Sequence, residues 1–195
     1  PDHILNNSKI EHRIKAIFNT TPQNVMINEL ILKNKVLELK ITAKDNENLD
    51  LLKQSLNKIY QTVETKKLDE KQESNFEAIV VAKDELEIKD VVYGIFTQEY
   101  LQDELFDKES INEQLKILLP EHSIIKYIET LNANKVEIFS FSVNTIVKEP
   151  KDLFNIFTNI NSELYSITIS KPILMKNTNL GIEVDFIIEF NQLKN

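Results

Sequence analysis

The chain has no cysteine and no tryptophan, and only two glycines and five prolines among its 195 residues. Without cysteine there are no disulfides, no thiolate chemistry and no cysteine-based zinc sites, and either the cytoplasm or the periplasm fits. Gly-rich phosphate loops, dinucleotide fingerprints and the nucleophile elbow each need glycines at close spacing, and Gly94 and Gly181 stand far apart. Basic charge is also scarce: Asp and Glu number 31 against 23 Lys and Arg, Arg13 is the only arginine, and the formal net charge is −8. Nucleic-acid binders gather Lys and Arg to displace phosphate counterions, so a polyanion is a disfavoured partner. No apolar run approaches the roughly 18 residues of a membrane span, and no signal-peptide pattern opens the chain.

Hydrophobic residues are plentiful at 42%, enough for one large or two small globular domains. Ile4, Leu5, Ile10, Ile14, Ile17 and Phe18 follow helical spacing and predict a helix ending at Thr20-Thr21-Pro22. Val25 to Lys33 and Lys35 to Lys44 read as a hairpin about Asn34, with Leu37, Leu39, Ile41 and Ala43 alternating against Val36, Glu38, Lys40 and Thr42. Leu49, Leu52, Leu56, Ile59, Tyr60 and Val63 predict an amphipathic helix, and charge-rich Glu64 to Asn75 a loop fraying from its end. Phe76 to Lys83 and Leu86 to Tyr93 read as a second hairpin, before Gly94 marks a change of domain.

Thr97 to Leu119 predicts two helices meeting near Ser110, where Ser110 to Glu113 matches a capping box. A helix over Ile124 to Leu131 follows Pro120, then a strand from Lys135 to Val143, a helix opened by Pro150, an extended Tyr165 to Ser170, and a final strand in which Leu180, Ile182, Val184, Phe186, Ile188 and Phe190 alternate. The fold class expected is α+β: antiparallel sheets with helices on one face, in tandem ferredoxin-like domains of circularly varied order, residues 1–95 and 96–195.

Chemistry-bearing residues do not converge. His3, His12 and His122 lack any metal-ligand spacing and read as surface side chains. Asp84, Glu85 and Glu87, like Asp103, Glu104, Asp107 and Glu109, cluster locally on turns or polar helix faces, whereas a glycosidase or metal site draws carboxylates from separate elements. Asp45-Asn46-Glu47-Asn48 lacks the glycine and terminal glutamate of an EF-hand loop. Ser140 and Ser142 lie on a strand with no histidine nearby in sequence, and Phe139 and Phe141 beside them read as core. No catalytic, cofactor-binding or metal-binding residue is assigned.

Thr21-Pro22-Gln23-Asn24-Val25-Met26-Ile27-Asn28-Glu29-Leu30, followed by Leu37-Glu38-Leu39-Lys40-Ile41-Thr42-Ala43 and the helix from Leu49 to Val63, resembles the periplasmic module of PilN-type proteins. Thr42-Ala43 stands where that family usually has a glycine. Leu119-Pro120 through Phe190 is similar to the periplasmic module of PilO or of the type II secretion M-type proteins. The resemblance implies a non-catalytic scaffold of the inner-membrane assembly platform in a type IV pilus, type II secretion or natural-transformation (DNA uptake) apparatus. It also implies a periplasmic location, a membrane anchor ahead of Pro1 in the full-length protein, and homo- or heterodimerisation with related platform proteins through a sheet edge or the acid-rich helix of Thr97 to Leu119. Two other classes stay open: an α+β small-ligand sensor, which needs a concave apolar pocket with convergent polar groups, and a hydrolase, which needs two close carboxylates in a cleft or His12 with His122.

Overall fold

The computed structural model describes residues 2–84, 106–162 and 167–193. Leu86 to Tyr93, Gly94 and the first part of Thr97 to Leu119 lie outside them. Along the described chain the elements are α1 (Asp2–Thr20), β1 (Val25–Leu32), β2 (Val36–Asp45), α2 (Asn46–Asn57), β3 (Thr62–Lys67), β4 (Ser74–Lys83), α3 (Lys108–Leu118), β5 (Ile124–Ala133), β6 (Val136–Val147), α4 (Pro150–Ser162), β7 (Ile167–Thr178) and β8 (Gly181–Leu193). The strands form one eight-stranded sheet in the order β3-β4-β2-β1-β7-β8-β6-β5, every neighbouring pair antiparallel. The fold is thus α+β, with a large antiparallel sheet and four helices.

Period-two alternation explains the layering. Leu37, Leu39, Ile41 and Ala43 of β2 stand opposite Ala82, Val80, Ala78 and Phe76 of β4, and all eight are buried. Phe139, Phe141 and Val143 of β6 stand opposite Phe190, Ile188 and Phe186 of β8 in the same way. One cluster of buried side chains runs through both halves and takes in Ile10, Ile14 and Ile17 of α1, Leu52 and Leu56 of α2, Ile111 and Leu115 of α3, and Leu153, Phe157 and Ile160 of α4. The helices therefore cover one face of the sheet. Its other face carries a row of alternating charge, Lys40 opposite Glu29, Glu29 opposite Lys176 and Lys176 opposite Glu183.

The two halves repeat each other element by element. Each runs α-β-β-α-β-β, with its third, fourth, second and first strands side by side in that order. In β1 the register slips between Ile27, opposite Ile41, and Glu29, opposite Lys40. In β5 it slips between Tyr127, opposite Phe141, and Glu129, opposite Ser140. The first helix–strand connection of each half also turns on a proline carbonyl, Val25 N donating to Pro22 O (3.0 Å) and Ser123 N to Pro120 O (2.9 Å). A shared bulge at the same point of the same strand is a structural repeat, although the side chains differ: Asn28 in one bulge, Ile128 in the other.

Three sequence expectations are corrected. Ile124 to Leu131 is not a helix but most of β5. The helix expected to run to Val63 stops at Asn57, where Lys58 N and Ile59 N take up the last carbonyls, and Val63 is the inward residue of β3. Glu64 to Lys67, expected to be loop, completes that strand. In addition, the N-cap of α3 is Asp107, whose carboxylate accepts from Ser110 N at 2.8 Å.

Candidate functional site

β1 and β7 join the halves over four residue pairs, Glu29 to Leu32 against Lys176 to Ile173. Towards the bulge of β1 that ladder stops, and a cleft of about 500 Å³ opens between the strands, the end of α1 and the start of α4. Phe18, Val25, Ile27, Met175 and Ile182 supply its apolar wall, and Gln23, Asn28, Lys148, Lys176 and Asn177 its polar rim. Asn28 is held there by its own amide, which donates to Thr42 Oγ1 at 2.9 Å. Pro22 places the chain after α1, and Pro150 begins α4 where a missing N–H costs nothing. None of the lining residues is acidic or a histidine, so both charges on the rim are positive. The cleft can hold a small amphiphile with a negative end.

The residues weighed from the sequence that are described are not among those lining this cleft. His12 is exposed on α1, His122 is exposed in the turn before β5, and no group of three or more His, Cys, Asp or Glu that could hold a metal occurs among the described residues. Asp45 and Asp107 are helix caps whose carboxyls are held below the ordinary carboxylate range, chiefly by the backbone N–H of Asn48 and of Ser110 respectively. Glu109 follows in the first turn of α3, and Glu85, Glu87, Asp103 and Glu104 lie outside the described residues. Ser140 is buried in β6, while Phe139 and Phe141 are core, Phe141 meeting Tyr127 edge-on at 5.8 Å.

Asp84 takes part in a polar constellation that the sequence concealed. Arg13 on α1 stacks over the Tyr60 ring at 4.5 Å, donates to Ile59 O at 3.2 Å and reaches Asp84 Oδ2 at 3.4 Å. Burial pushes the Tyr60 phenol up to about 12 against the opposing pull of the guanidinium. The only arginine thus ties α1 to the end of α2 and to the end of β4. Its singularity in the sequence was the available signal, but the partners are 46 and 71 positions away. The arrangement fastens elements together and leaves no open site. Comparison with protein-family models, with curated proteins and with solved structures finds no match for this chain.

Proposed function

We propose that the protein is a non-catalytic scaffold acting through protein–protein contacts, an assembly-platform component of a type IV pilus, type II secretion or natural-transformation apparatus with its soluble part in the periplasm. In this reading each half is a circularly varied ferredoxin-like unit, residues 1–95 and 96–195. The observation that carries it is the strand order. A ferredoxin-like β-α-β-β-α-β unit has its fourth, first, third and second strands side by side. Starting the chain at its first helix renumbers that order as third, fourth, second, first, the order found in both halves. The element order matches the helix, hairpin, helix succession on which the resemblance rests. The test is genetic and biochemical: deleting the gene should abolish piliation, secretion or DNA uptake, and the tagged full-length protein should copurify with inner-membrane platform proteins. Unchanged phenotypes together with a cytoplasmic location would overturn the reading.

The seam cleft favours a second reading, a small-ligand sensor, because an apolar wall with two lysines on its rim suits an amphipathic anion. A thermal-shift screen of fatty and aromatic acids tests it. A ligand at 100 times its Kd stabilises by about 2.7 kcal/mol, and Lys148→Ala with Lys176→Ala should abolish that shift. A screen with no shift would retire the reading.

A further inference from the structure

The sheet ends in two unlike edges. β3 is six residues long, and Glu64, Lys66 and Lys67 give it the charges that discourage further pairing. β5 is ten residues long and carries Ile124 (54% exposed), Tyr127 (42%), Ile128 (46%) and Leu131 (49%) on a strand with no neighbour on its outer side among the described residues. Beside it, α3 bears Ile117, 83% exposed. Most of the exposed large hydrophobic side chains of the described sheet and helices gather at this end.

The order of side chains along β5 is self-complementary. Ile124, Lys126, Glu129 and Leu131 stand opposite Asn144, Ser142, Ser140 and Ile138, all on the face away from the helices. Lys126 and Glu129 are three residues apart and would point to opposite faces in a regular strand; the bulge between Tyr127 and Glu129 returns them to one face. An antiparallel copy of the strand, related by a two-fold axis through the bulge, sets Lys126 against Glu129 and Ile124 against Leu131, each twice. On the helix side it sets Ile125 against Thr130, and at the bulge it brings Tyr127 opposite Ile128. Lys126 and Glu129 are opposite in charge and Ile124 and Leu131 are both apolar, while Ile125 against Thr130 joins an apolar to a polar side chain on one face.

We propose that β5 pairs antiparallel with β5 of a second copy in this register, so that the protein self-associates into a two-fold dimer with one continuous sheet. The edge alone buries less than the roughly 800 Å² per partner of a standard interface, so the dimer forms reversibly with concentration. The inference goes beyond the scaffold reading and does not rest on it.

Sedimentation velocity of the full chain from about 1 μM to about 1 mM, the range in which modest interfaces titrate, should show a monomer–dimer equilibrium. Ile128→Lys should leave only monomer, with circular dichroism confirming that it is folded. Lys126→Glu alone or Glu129→Lys alone should each weaken the dimer by about tenfold, since like charges then face each other at both symmetric positions. The double reversal Lys126→Glu with Glu129→Lys should restore it. A wild-type monomer throughout, a dimer indifferent to these changes, or singles that weaken without rescue by the double would each overturn the proposal. Copurification of platform proteins with a strictly monomeric chain would overturn self-pairing and leave the scaffold standing; a rescued dimer without any phenotype on deletion would do the reverse.

Discussion

Arg13 and Tyr60 show how one cation can be held by a ring, a carbonyl and a carboxylate at once. Because the folded Tyr60 phenol titrates at about 12 while an exposed tyrosine ionises near 10, the stability it contributes is complete below about pH 10 and is lost as pH rises through about 12. Tyr60→Phe keeps the ring beneath the guanidinium and removes the ionisation. Urea midpoints should therefore fall more steeply for the wild type than for the variant between those pH values, by on the order of 2 kcal/mol across the window. Scarcity of glycine has a residue-level counterpart as well. Gly181 opens β8 at φ 135°, and a Cβ there would overlap the Val147 carbonyl oxygen. Gly181→Ala should cost about 3 kcal/mol in urea unfolding, through strain and displacement of β6. Asn75 and Asn134 take φ 50° and 56°, in the left-handed region that asparagine tolerates and where glycine is not required.

Elements differ in how plainly the sequence announced them. β2 and β8 are flanked by strands on both sides and have one wet face, so strict alternation survives in their residues. β5 has neither property. As an edge strand it leaves apolar side chains exposed on both faces, and the extra residue at its bulge turns a period of two into Ile124, Ile125, Ile128, Leu131, a spacing that reads as a helix. β3 hid for a related reason: only Val63 is buried, and the Lys and Glu residues that protect the edge look like loop. The seam cleft was illegible, since its walls come from five elements, α1 and β1 of the first half and α4, β7 and β8 of the second. Gln192 on β8 was equally silent. Its amide pairs with both backbone groups of Phe106, accepting from N at 3.0 Å and donating to O at 2.9 Å, as a strand would, and Phe106 meets Phe190 edge-on at 6.1 Å. Gln192→Leu should leave those backbone groups unpaired at a cost of about 1–3 kcal/mol. Amide exchange should accelerate in α3 first, because Phe106 leads directly into it; uniform acceleration across the sheet would contradict this local role.

The described residues form two halves of the same strand order that share one sheet and one apolar core. Leu30 and Ile173 are fully buried on the two strands of the seam, and the hydrophobic cluster passes beneath it without a break. Heat should therefore unfold both halves in a single calorimetric transition, with matched calorimetric and van't Hoff enthalpies. Leu30→Ala should lower the stability of that transition by about 2–5 kcal/mol without splitting it. Two separate transitions would show that the halves melt independently.

The four-pair ladder between β1 and β7 is the shortest in the sheet, and α1 lies across it. Phe18 meets Phe154 of α4 at 6.0 Å, and Glu11 accepts a hydrogen bond from Thr158 at 2.8 Å. Mechanically, the sheet bends or twists most readily along that line, and α1 acts as a splint over the joint. A pull on the amino-terminal end of α1 would therefore load both halves together instead of peeling the first away, and shear between them would be resisted by the α1–α4 contact before the strands slide.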